Sequence, residues 1–180
     1  VVDNVKAAVL MAHAFNDWNV MPDHSWRIIE ALKGKVPVQM YYHQGGHGGE
    51  PPHEMMNKWF TRYLYDIENG VENDPKAWIV REGDERLNPT PYADYPNPES
   101  EGVRLFPTNG GQYTAELSLD QPADQGIETI VDNVSFDGAS LARAEYTNHR
   151  LLYVTPELAQ DVHLSRSEEH TSELQSPCNL

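Results

Sequence analysis

The chain has 180 residues, a formal net charge of -15 and a hydrophobic fraction of 39%. This length and composition fit one ordinary globular domain or two small ones. The negative charge argues against nucleic acid and anionic membrane surfaces as partners, and no apolar run reaches the roughly 20 residues of a membrane span. No signal peptide is visible, but a fragment would have lost one, so the sequence leaves the compartment and the oligomeric state open.

The first half of the chain alternates strand-like and helix-like segments. Val5–Phe15 is a nearly continuous apolar run, typical of a parallel strand that is buried on both faces. A helix start follows at Pro22, and Val36–Tyr42 predicts a second strand. Glu54–Asp66 then predicts a second helix with an apolar stripe. Because helices separate the strands, we expect a parallel sheet with helices on its faces.

Two loops after these strands carry residues that are typical of a catalytic site. Asp17 follows the first strand, and His47 follows the second in a loop whose glycines let the backbone approach closely. Active residues of parallel sheets lie at the carboxyl ends of strands. An acid that orients a histidine is part of a nucleophile–His–acid triad, and in α/β-hydrolases the acid precedes the histidine. The alternatives are a helix-capping Asp and a solvent-facing His.

Other candidate site residues are less specific. Ser25 and Ser165 are poor nucleophiles, because neither lies in a G-x-S-x-G elbow. His43 and His47 have the spacing of a metal-binding pair, but the glycines between them disfavour the helix that such a pair needs. The sequence therefore predicts no metal and no cofactor. Trp18 either lines a substrate pocket, where an aromatic ring suits proline, or covers a strand edge.

The second half of the chain has a different pattern. Leu87–Pro98 carries four prolines, as expected of a linker or covering loop. Beyond it, turn clusters separate short alternating runs that predict strands, at Val103–Phe106, Tyr113–Leu119, Ile127–Val131 and Leu151–Val154. This pattern favours an antiparallel sandwich or jelly roll that is only partly present.

The residues of the two loops resemble a known family. Asn16–Val20 (NDWNV) and His43–His47 (HQGGH) together resemble the acid and histidine segments of the Xaa-Pro dipeptidyl-peptidases, and Arg150–Leu158 resembles their C-terminal β-domain. These are serine peptidases of the α/β-hydrolase fold that release dipeptides with proline in the second position. The resemblance implies that Asp17 is the triad acid, that His47 is the triad histidine and that the substrate is such a peptide. The family's catalytic serine has no matching position, so we expect an inactive fragment.

The last segment, Arg166–Leu180, resembles the translation of a sequencing adapter and contains the only cysteine. We therefore expect four parts. These are the C-terminal part of an α/β-hydrolase domain at 1–86, a Pro-rich linker at 87–98, a partial antiparallel β (jelly-roll-like) domain at 99–165, and an artefact at 166–180. The alternative functions are a related acyl esterase or amide hydrolase, and a non-catalytic β-sandwich binding module.

Overall fold

The computed structural model describes residues 2–17 and 19–162. The chain divides into two compact units, of which the first runs to Ser100 and the second begins at Glu101. Trp18, Ser165 and the adapter-like segment lie outside the described residues. No helix in the described ranges combines the length and the apolar composition that a bilayer crossing requires.

A four-stranded sheet forms the first unit, in the order β1-β2-β3-β4. Its strands are β1 (Val9–Ala14), β2 (Val38–His43), β3 (Ala77–Ile79) and β4 (Thr90–Tyr92). The first three are parallel, as expected, and β4 pairs antiparallel with β3. β4 comes from the Pro-rich segment, whose prolines are tolerated because an edge strand has backbone groups that need no partner. Part of the segment predicted as a linker or covering loop therefore forms the edge strand of the sheet.

Two helices connect the parallel strands. α1 (Pro22–Leu32) lies between β1 and β2, and α2 (His53–Tyr65) lies between β2 and β3. Pro22 is favourable at the start of α1, because proline lacks an N–H that would be unpaired there. Asp66 ends α2 in the left-handed conformation. α1 thus begins at the predicted residue, and α2 begins and ends one residue before its predicted limits.

The core of the first unit lies around β2. All six residues of β2 are buried, whereas β1 buries only Ala14. The prediction that the first strand is buried on both faces is therefore wrong. β1 lies at an edge of the sheet, and the burial on both faces belongs to β2. Ile29 and Leu32 of α1 pack into the same cluster as Met40 and Tyr42 of β2.

Short strands form the sheet of the second unit, in the order β5-β6-β7. They are β5 (Phe106–Pro107), β6 (Ala115–Ser118) and β7 (Tyr153–Val154). β5 and β6 are antiparallel, but β6 and β7 are parallel, so the prediction of a wholly antiparallel sheet is wrong. A parallel pair needs a long crossover. The segment between β6 and β7 provides it and contains the short helix α3 (Gly138–Arg143).

The strand predicted at Ile127–Val131 does not form. Ile127 is 96% exposed and Val131 is 57% exposed. Strands of this composition are stabilised by packing against neighbouring strands and a covered face, and these side chains have little of either. The Val131 N–H donates instead to the carbonyl of Asn148, at 2.8 Å.

A buried cation connects the helix and the sheet of the second unit. Arg150 is 8% exposed. Its guanidinium donates to backbone carbonyls at N–O distances from 2.5 to 3.2 Å, those of Gly111, Gln112, Tyr113, Leu141 and Ala144. Arginine offers N–H donors on all three nitrogens of a planar fork, and here Nη1 shares its two N–H groups among the carbonyls of Gly111, Gln112 and Tyr113. Arg150 thereby ties the segment before β6 to the end of α3.

Candidate active site

The ends of β1 and β2 bring the two predicted loops side by side. Ala14 is in register with His43, and the Phe15 N–H donates to the His43 carbonyl at 2.8 Å. Parallel strands end at the same edge of a sheet, where loops can converge on one site. Asp17 and His47 therefore meet although they are 30 residues apart in the chain.

Asp17 and His47 form a hydrogen bond, with Oδ2 and Nδ1 2.9 Å apart. The Asp17 side chain is 4% exposed and the His47 side chain is 61% exposed. An ionised carboxylate can only accept, so the proton lies on Nδ1 and the neutral ring keeps a bare Nε2. This is the tautomer in which a histidine can take a proton from a nucleophile.

Backbone groups hold the other oxygen of Asp17. Oδ1 accepts from the N–H groups of Asn19 and Val20, each at 3.0 Å. The Val20 N–H is the main reason that the pKa of Asp17 falls to about 2; His47 and Asn19 lower it further, while burial acts in the opposite direction. Asp17 is therefore an anion whose orientation the backbone fixes.

This depressed pKa predicts how Asp17 responds to acid. The folded-state pKa lies below the ordinary value of 3.8, so the ionised carboxylate stabilises the fold above about pH 4 and this contribution disappears as the pH falls through 2. Carboxyl-carbon NMR across this window should place the Asp17 midpoint near 2. A midpoint at or above 3.8 would contradict the hydrogen-bond pattern.

Amide side chains tie the two loops to each other and to the sheet. Asn16 Nδ2 donates to the Gln44 carbonyl at 2.7 Å, and Gln44 Nε2 donates to the Val80 carbonyl at 3.0 Å. Sequence reasoning missed both roles, although both residues lie within the two motifs. The only available sign was the residue type, because an amide side chain can donate to a backbone carbonyl of another segment.

The His47 loop packs against the buried ring of His43. His43 is 2% exposed, and its Nδ1 accepts from the Gly45 N–H at 3.0 Å. Burial, followed by the charge of Arg86, lowers the pKa of His43 and favours the neutral ring. In the described part of the chain, no group of three or more His, Cys, Asp or Glu side chains is placed to hold a metal ion.

A substitution at Gly49 tests this loop geometry. The φ of Gly49 is +113°, and a Cβ there would lie 2.5 Å from His43 Nε2. We expect Gly49→Ala to cost about 2 kcal/mol or more of unfolding free energy, from strain and overlap together. Gly46→Ala is the matched control, because a Cβ at Gly46 meets nothing within 4 Å.

The measurement for this pair is denaturant unfolding followed by tryptophan fluorescence. All four tryptophans lie in the first unit, so the signal reports that unit. Equal unfolding midpoints for the two variants would show that the loop does not turn against His43.

The remaining candidates do not join the pair. Ser25 is 4% exposed; its hydroxyl donates to the Pro22 carbonyl at 2.8 Å and shares a hydrogen bond with the Tyr42 hydroxyl at 2.9 Å. This is a structural arrangement, in agreement with the sequence-based view that Ser25 is not a nucleophile. Trp18 lies outside the described residues, so its predicted contact with substrate stays a prediction.

Two family models match this chain. Residues 1–49 match the X-Pro dipeptidyl-peptidase (S15 family), and residues 69–165 match the X-Pro dipeptidyl-peptidase C-terminal non-catalytic domain. These matches fit an α/β-hydrolase domain followed by a β domain. The first match contains both Asp17 and His47, and the second contains the sheet of the second unit.

Curated relatives agree with the family models. A protein of Rhodopirellula baltica named "Putative Xaa-Pro dipeptidyl-peptidase" is 59% identical over 91% of this chain and 26% of its own length. A protein of the same name from Bacillus anthracis is 33% identical over 90% of this chain and 28% of its own length. The Xaa-Pro dipeptidyl-peptidase of Lacticaseibacillus rhamnosus is 30% identical over 88% of this chain and 21% of its own length.

The chain thus spans about a quarter of the length of these relatives. The resemblance seen in the two loop motifs is confirmed, because the family models and the relatives agree on one group of serine peptidases. The chain belongs to the X-Pro dipeptidyl-peptidase family.

Proposed function

We propose that this chain supplies the acid and the histidine of a Ser–His–Asp triad in a serine-type dipeptidyl-peptidase that releases Xaa-Pro dipeptides from peptide N-termini. The observation that carries the proposal is the 2.9 Å hydrogen bond from exposed His47 to buried Asp17. The family match supports the reaction class, and the names of the relatives support the substrate class.

In this mechanism, His47 Nε2 takes the proton of a serine hydroxyl as the serine oxygen attacks the scissile carbonyl carbon. The imidazolium that forms is stabilised by Asp17, which stays ionised because its pKa is about 2. His47 then protonates the leaving amine, and a water molecule attacks the acyl-enzyme by the same route. Each half-reaction returns His47 to the neutral tautomer.

The nucleophilic serine belongs, in this proposal, to a part of a longer protein outside this chain. Ser25 is buried and bonded to Pro22 and Tyr42, so it is not free to serve. This chain alone is then inactive. We further propose the division into catalytic part, linker, jelly-roll-like domain and adapter-derived tail set out above, with Trp18 as a residue that contacts the substrate proline.

The substrate class is tested by assaying the full-length protein that carries this segment. Gly-Pro-anilide should be cleaved about a hundredfold faster, in kcat/KM, than Gly-Ala-anilide, the scale on which a shaped apolar pocket discriminates. Acetylation of the substrate amino terminus should abolish cleavage. Equal rates on acetylated substrate, or a preference for a simple ester, would favour the related acyl esterase or amide hydrolase instead.

A further inference from the structure

A second histidine contacts the proposed triad acid. His13, on β1, has a side chain that is 10% exposed, and its Nε2 lies 3.3 Å from Asp17 Oδ2. The same nitrogen lies 2.8 Å from the Val20 carbonyl oxygen. Both of these oxygens are acceptors, so the geometry requires the proton of neutral His13 to lie on Nε2. The ring then donates to the Val20 carbonyl, and its contact with Asp17 Oδ2 is a close polar contact without hydrogen-bond geometry.

Val20 is therefore held at both ends of its backbone. Its N–H donates to Asp17 Oδ1, and its carbonyl accepts from His13. His13 closes this ring of contacts by reaching Asp17 Oδ2, the oxygen that also accepts from His47. Rotation of the carboxylate would break contacts on both of its oxygens at once.

We propose that His13 is a positioning residue: by donating from Nε2 to the Val20 carbonyl, it holds the residue whose N–H orients the Asp17 carboxylate towards His47. This inference rests on the proposed function, because orientation matters for rate only if Asp17 and His47 act as a triad. It assigns His13 no contact with substrate. Its expected effect is on the chemical step, since a misoriented carboxylate no longer holds the imidazole in place.

Two substitutions separate donation from packing. Glutamine can place an amide N–H near the position of Nε2, whereas leucine fills space without a donor. In the full-length protein, His13→Leu should lower kcat about tenfold, the scale of one hydrogen bond, with KM little changed. His13→Gln should recover most of this loss. His24→Leu, at an exposed position of α1, is the matched control.

Peptidase turnover and fluorophosphonate labelling of the catalytic serine are measured on the same samples. If wild-type protein is labelled but does not cleave Gly-Pro-anilide, the substrate assignment fails while labelling rates still test His13. If His13→Leu is labelled and turns over substrate at wild-type rates, the role of His13 is overturned. The role is also overturned if His13→Leu and His13→Gln lose kcat equally.

The tautomer provides a readout that does not depend on activity. Nitrogen NMR of the chain labelled in histidine should show His13 protonated at Nε2 and bare at Nδ1 at mildly alkaline pH. A neutral His13 ring protonated at Nδ1 would overturn the proposal, because its Nε2 could not donate to the Val20 carbonyl.

Discussion

Asp17→Asn in the full-length protein is expected to lower kcat for Gly-Pro-anilide by about a thousandfold or more, the scale of triad losses. The asparagine oxygen can still accept from the N–H groups of Asn19 and Val20, so the loop should keep its shape. Its amide nitrogen then faces His47 and favours the tautomer with the proton on Nε2. That tautomer cannot take a proton from serine.

His47→Ala removes the proposed base and should lower kcat at least as much as Asp17→Asn. The double variant should be little worse than His47→Ala alone, because residues that act as a unit lose their effect together. Steady-state kinetics on Gly-Pro-anilide measures all three. Asp23→Asn is the control, since Asp23 makes an ion pair with Arg27 on the surface of α1. Rates within tenfold of wild type for either single variant would defeat the triad assignment.

Arg150→Met is expected to unfold or severely destabilise the second unit while leaving the first intact. Methionine fills much of the same volume but donates no hydrogen bond. Five hydrogen bonds from a charged donor would be lost, and one such bond contributes about 1.5–3 kcal/mol, so the loss should reach at least about 3 kcal/mol. Lysine would not restore the contacts, because its ammonium cannot span carbonyls on two segments.

Amide hydrogen exchange read by mass spectrometry separates the two units in this experiment. Peptides from residues 101–162 should lose protection in Arg150→Met, while tryptophan fluorescence, which reports the first unit, stays unchanged. Arg143→Met is the matched control, because Arg143 is exposed on α3. Full protection of the second unit in Arg150→Met would show that the hydrogen bonds of Arg150 do not hold that unit together.

The parallel sheet and its site could be predicted because both leave a mark in local sequence. β2 is a short apolar run between helices, and its end is followed by glycines and His47. A strand–helix–strand order forces neighbouring strand ends to one edge. The meeting of Asp17 and His47 follows from that topology once the motifs are recognised.

His13 and Arg150 could not be predicted, for a common physical reason. His13 lies within an apolar strand and donates to the Val20 carbonyl, and Arg150 likewise donates to carbonyls. Backbone carbonyls are present at every residue, so such partners leave no pattern of residue types. The pairing of β6 with β7 is hidden in the same way, because two short strands far apart in sequence carry no sign of their direction.

The register of Ala14 with His43 places Asp17 and His47 at the carboxyl ends of β1 and β2, away from the turn that connects α1 to β2. The turn from α1 to β2, at Lys33–Lys35, lies at the far end of β2, and a strand of six residues spans about 20 Å. At this turn, half-buried Lys33 contacts Asp94 and the Tyr95 carbonyl, while Lys35 makes an exposed ion pair with Asp3, which contributes little to stability. A fluorophore or affinity peptide inserted at this turn would report on the folded unit without reaching the strand ends where Asp17 and His47 lie.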